Sequence, residues 1–145
     1  MASVVYASGI AGFCGADMDW DVNDGTLFKA MLALSSYTPN PDTHDFYDDV
    51  SASKASGTTD QSLGTAKAIN IVGGSNQVNL DAAASVTFAA VAGSQTVSGV
   101  VIYRDTGTPG TSRLVCWCEF ASTLATNGGD VVVTFDALGC LQFTY

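Results

Sequence analysis

Apolar positions along this chain recur mostly at every second residue and in short runs, the period of half-buried strands rather than of helices. The segments that carry it are Ser3–Ser8, Thr26–Leu34, Ala66–Val72, Gln77–Leu80, Ser85–Ala89, Val97–Tyr103, Leu114–Phe120, Asp130–Phe135 and Leu141–Thr144. Between them stand Asn23-Asp24-Gly25, Gly73-Gly74-Ser75-Asn76, Gly107-Thr108-Pro109-Gly110 and Asn127-Gly128-Gly129. Such residues reach positive φ or pre-set a turn at low steric cost. Val100-Val101-Ile102-Tyr103 and Val131-Val132-Val133 are rich in β-branched side chains and read as central strands covered on both faces. Helical signal is thin. Thr26–Leu34 also fits a short helix and Ala82–Ala84 favours one by propensity, but neither has a long amphipathic stripe. The pattern predicts an all-β fold: one β-sandwich domain over residues 1–145, jelly-roll-like.

Residues 35–65 break the alternation, and a loop of this length is usually functional, partnered or disordered. Tyr37 to Val50 holds aromatics and prolines, whereas Ser51 to Thr65 is a Ser/Thr/Gly tract with the composition of a flexible connector. Pro39 and Pro41 stiffen the first half, and a stiff arm loses less entropy on docking. The candidate partner contacts are therefore Tyr37, Pro39, Pro41, His44, Phe46 and Tyr47. The alternative is that Tyr37, Phe46 and Tyr47 fold back over one end of the sandwich. Residues 1–13 are apolar with small residues, which suits an arm adding a strand to a neighbour's edge. A first strand within the chain's own sheet is the favoured reading.

Charge narrows the function classes. Asp and Glu number 14 against five Lys plus Arg, a net charge of −9, so no nucleic-acid partner is expected. The charged fraction of 13% is low while the hydrophobic share is 47%, which excludes a disordered acidic tail. Ala, Gly, Ser and Thr dominate the rest, a weakly hydrated skin that tolerates close contact with other protein. The N-terminus lacks a basic segment before its apolar stretch, so no secretory signal is read there. No run approaches a membrane span, and no membrane partner is expected.

Cys116 and Cys118 share one strand face and do not easily bridge each other; with C-x-x-C spacing absent and His44 the single histidine, a zinc site is not expected. The four cysteines, Cys14, Cys116, Cys118 and Cys140, read as reduced thiols acting as small buried hydrophobes. His44, in Asp42-Thr43-His44-Asp45, reads as a loop residue rather than a catalytic base. The Asp-rich stretch Asp17–Asp24 lacks the glycine position and closing glutamate of a calcium loop, though a looser cation site there stays open. Asp48 and Asp49 are neighbours that point apart, unlike a glycosidase carboxylate pair. Gly73-Gly74 has neither the Lys nor the following helix of a phosphate cradle. No enzyme and no cofactor are expected.

Several stretches resemble a known group in the order in which they occur. They are Asp19-Trp20-Asp21, Thr26 to Leu32, Ser35 to Phe46, Val101-Ile102-Tyr103-Arg104-Asp105-Thr106-Gly107, Ser112 to Leu114, and Asp136, Gly139 and Leu141 near the end. The order resembles small structural proteins of tailed-bacteriophage virions, across most of the chain. The cysteines and the Gly/Ala-rich middle depart from that group. The resemblance implies a non-enzymatic capsid decoration or cement protein, a jelly-roll-like sandwich on the capsid exterior, assembled in the host cytoplasm. Its implied partner is the major capsid protein, and a homo-oligomer, dimer or trimer, matches a capsid symmetry axis. The alternative is a host-recognition or carbohydrate-binding module on a head fibre or tail, with exposed Trp20, Tyr37 and Tyr47 stacking on sugar rings, or another tail or neck component.

Overall fold

The computed structural model describes residues 3–20, 27–65, 67–82, 85–136 and 139–144. Its elements are β1 (Ser3–Val5), α1 (Ala7–Cys14), β2 (Phe28–Leu34), α2 (Tyr47–Val50), β3 (Gln61–Ser62), β4 (Ala68–Val72) and β5 (Gln77–Asp81), followed by β6 (Ser85–Phe88), β7 (Thr96–Arg104), β8 (Leu114–Ala125), β9 (Val131–Thr134) and β10 (Leu141–Thr144). The strands form three antiparallel sheets in the orders β1-β8-β7-β2-β3, β10-β5-β4 and β6-β9. The domain is an all-β sandwich, its strands divided five, three and two among the described residues. Turn residues 23–25 and positions 26, 66, 83 and 84, on which strand and helix expectations fell, lie outside the described residues.

The five-stranded sheet is buried on both sides. Phe28, Ala30, Leu32, Val100, Ile102, Cys116 and Cys118 face one core, completed by Leu80, Val86, Phe88, Val131 and Leu141 of the smaller sheets. Met31, Ala33, Val101, Tyr103, Leu114 and Trp117 face a second core, capped by Tyr6, Tyr37 and Val50. Seven consecutive residues of β7 are therefore buried, as its unbroken apolar run predicts. β9 differs from the expectation of double coverage: its burial alternates and Val132 is 60% exposed. It pairs only with β6 in a two-stranded ribbon, so one face meets the core and the other meets water.

The strand expected over Thr26–Leu34 is present as β2 from Phe28 to Leu34. Two further expectations are corrected. The strand expected over Ser3–Ser8 ends at Val5, where β1 pairs with β8 of its own chain, and α1 follows. No apolar stripe announces α1 because it seats on β8 through a glycine. A Cβ on Gly9 would stand 2.9 Å from the Leu114 carbonyl oxygen and the Val115 Cα. The Ser8 hydroxyl donates to the Leu114 carbonyl oxygen at 3.2 Å. The supposed connector Ser51–Thr65 instead runs along the outer edge of β2. Ala55 and Leu63 donate their N–H groups to the Leu32 and Phe28 carbonyl oxygens, both at 2.9 Å, and both side chains are buried. Two apolar residues spaced eight apart are enough to anchor it, a spacing no strand or helix period reveals.

Candidate functional site

The aromatic half of residues 35–65 turns inward. Tyr37 is 8% exposed, its ring edge-on to Trp117 at 5.1 Å and stacked on His44 at 5.7 Å. A hydrogen-bond chain runs from the Tyr6 hydroxyl to the Tyr37 oxygen and from Tyr37 to His44 Nδ1 at 3.1 Å. The same Nδ1 accepts the Asn40 N–H at 3.3 Å, which assigns the ring proton to Nε2. Burial pushes both tyrosine hydroxyls above their ordinary value. The Pro41 carbonyl accepts the Ala7 N–H at 3.1 Å. The Arg113 guanidinium covers the Phe46 ring, and the Tyr47 ring packs on Tyr103 at 4.5 Å. Of the six candidate contacts Tyr37 is buried, and Pro39, Pro41, His44, Phe46 and Tyr47 are half-buried. Their aromatic groups pack on the chain itself.

The four-residue α2 is held at its start by Asp49. Its carboxylate accepts the Asp45 and Phe46 N–H groups at 2.9 and 3.0 Å, and these bonds hold it below the usual carboxylate range. A depressed folded value means stability that is present above the unfolded pKa of about 4 and is lost as pH falls through the folded one. Urea midpoints measured from about pH 6 down to pH 3 will therefore fall in the native protein, and Asp49→Asn will flatten part of that slope. An equal slope in both proteins would show that Asp49 carries none of it.

A different surface stands open. α1 and the stretch after it lie over the three-stranded sheet without closing on it, leaving a cleft of about 560 Å³. Its lining includes Ile10, Phe13, Trp20, Ile69, Val78 and Phe143, and Asp19 is the one charged residue among those that line it. Volume and lining fall within the range of binding sites in general. Trp20 forms the floor rather than the rim. It is 1% exposed, donates its Nε1–H to the Asp81 carbonyl oxygen at 2.6 Å, and packs on Phe28 at 4.8 Å. The expectation of Trp20 and Tyr37 as exposed sugar platforms is thereby corrected: each ring fills a core. Ile10 and Ile69 are each 47% exposed at the mouth. Strand alternation in Ala68-Ile69-Asn70-Ile71-Val72 marks these isoleucines as one face, but nothing local says that the face is left partly uncovered.

Cys116, Cys118 and Cys140 meet in the first core. The Cys116 and Cys118 sulfurs are 3.9 Å apart, and the Cys118 and Cys140 thiols donate to the Cys140 and Leu80 carbonyl oxygens at 3.3 Å. The neighbouring Cys118 and Cys140 thiols, with burial, push the Cys116 thiol up. Cys14 departs from the buried expectation and is exposed at the cleft. Among the described residues no three His, Cys, Asp or Glu side chains are grouped to hold a metal ion. Residues 21–24 of the Asp-rich stretch lie outside the described residues. Among the described residues, no helix is long and apolar enough to cross a membrane.

No protein-family model, curated protein or solved structure matches this chain.

Proposed function

We propose that this chain is a non-enzymatic structural protein of a tailed-bacteriophage virion that binds the outer capsid shell and stabilises it. The major capsid protein is its partner. The observation that carries this reading is the apolar cleft between α1 and the three-stranded sheet, with Ile10 and Ile69 at its mouth. A cleft walled mostly by hydrocarbon and sulfur, with Asp19 its one charged residue, offers a seat for apolar side chains projecting from a shell. A sandwich whose central sheet is buried on both faces presents that seat on a rigid frame. Weak single contacts become firm when a symmetric shell presents many at once. The net charge of −9 disfavours adhesion to nucleic acid. The sequence resemblance supports the same reading.

Purified protein mixed with undecorated shells should cosediment saturably. Ile10→Lys puts a charge at the cleft mouth on a half-exposed helix position, where it does not disturb the core. It should weaken shell binding by about ten-fold or more. Absence of saturable binding at every salt concentration would sink the proposal.

A further inference from the structure

We propose that β4 is the pairing edge for a second copy of this chain, joining two three-stranded sheets into one continuous sheet about a two-fold axis. This deepens the reading above by naming the homo-oligomeric contact, and its test is separable from shell binding.

The first observation is an edge without protection. β4 ends its sheet, so alternate N–H and C=O groups point away from β5, and among the described residues no strand lies beyond it. Edge strands are ordinarily blunted by charge, proline, a bulge or short length. Ala68–Val72 has none of these: it carries no charge and no proline, and it pairs with β5 over five residues in unbroken register. The edges of the larger sheet are β1 and β3, of three and two residues.

The second observation is where the chain keeps its charge. With a net charge of −9, two copies repel over most of their surfaces. Residues 61–80, which contain β4 and most of β5, carry no Asp or Glu and one Lys. The other exposed apolar pair, Leu124 and Val132, sits on β8, which carries Glu119, and on β9, which Asp130 and Asp136 flank. Like charges opposed across a two-fold axis would penalise contact there and spare it at β4.

Register favours the same contact. Antiparallel pairing centred on Asn70 sets Ala68 opposite Val72, Ile69 opposite Ile71, and Asn70 opposite Asn70 of the other copy. Ile69 and Ile71 stand opposite Leu80 and Val78 across the existing ladder, so they share a face with them. The apolar rows then run unbroken from one copy to the other. Pairing also covers Ile71, which is 73% exposed in the single chain. The contact is self-complementary, as a closed dimer requires.

Sedimentation equilibrium on the full chain should show a concentration-dependent dimer. Ile71→Lys should weaken it by about a hundred-fold or more, because two ammonium groups enter an apolar row. Ile71→Thr, which keeps a β-branched side chain, should weaken it less and serves if the lysine variant does not fold. Val132→Lys should leave it unchanged. The inference is overturned by a monomeric native protein at millimolar concentration, by a trimer, by an Ile71→Lys dimer of native affinity, or by equal loss in Val132→Lys. Failed shell binding with an intact β4 dimer removes the capsid reading alone.

Discussion

Gly99→Ala should destabilise the fold by about 2–3 kcal/mol, the scale of overpacking in a core that cannot relax. Gly99 lies mid-way along β7, opposite Glu119, where β8 begins a wide bulge: the next pairing is Leu124 with Val97. A Cβ there would stand 2.5 Å and 2.7 Å from Cη2 and Cζ2 of Trp117, and closer still to the Cys118 carbonyl oxygen. The indole is pinned by Tyr37 and the carbonyl belongs to a paired strand, so neither can step aside cheaply. Thermal unfolding should show Tm lower by roughly 5–12 °C. Gly73→Ala, where an added Cβ meets nothing within 4 Å, is the control and should change little. A Gly99→Ala protein as stable as the control would mean that β8 shifts freely at the bulge.

Asp60→Ala should cost about 3 kcal/mol, the scale of breaking a buried, hydrogen-bonded charge. The Asp60 side chain is 9% exposed, accepts the Tyr103 hydroxyl at 2.7 Å on Oδ2, and faces Lys54 Nζ at 2.7 Å on Oδ1. The Tyr47 ring packs on Tyr103, and the same carboxylate acts on its hydroxyl. Removing the carboxylate leaves the Tyr103 hydroxyl without this acceptor and unfastens the Lys54–Asp60 stretch from the larger sheet. Lys54 is partly exposed and can rehydrate, which keeps the cost at the lower end of that range. Burial first, then the Asp60 carboxylate, pushes both tyrosine hydroxyls above the ordinary value of 10.0. A raised folded value gives stability that is complete below the unfolded pKa and lost as pH rises beyond it. Urea midpoints of the native protein should therefore fall above about pH 10, and the fall should be shallower in Asp60→Ala. Parallel alkaline slopes would show that the carboxylate does not act on these tyrosines.

The strand pattern was legible because a period of two reports burial directly wherever one face of a strand meets a core. Phe28–Leu34, Gln77–Asp81 and Thr96–Arg104 all fall close to the segments that the alternation marks. α1 was not legible, since its contact with β8 is made through Gly9, and the absence of a side chain leaves no apolar signature. The inward turn of Tyr37 and Tyr47 was open from sequence alone. An aromatic ring near prolines suits an exposed anchor and a buried cap equally well. What decided it was the row Met31, Val101 and Trp117 on the outer face of the larger sheet, which had to be covered.

The amino-acid sequence by itself determined the all-β class, the positions of most strands, the double burial of β7 and the acidic charge, because these follow from local periodicity and composition. Only the tertiary structure decided which apolar faces stay open. Coverage depends on which segments meet across the sandwich: residues 37–50 close over one face of the larger sheet, while α1 stops short of closing over β4. That difference makes Ile10, Ile69 and Ile71 surface residues and Tyr37 a core residue, although the isoleucines stand in apolar stretches and Tyr37 in a polar one.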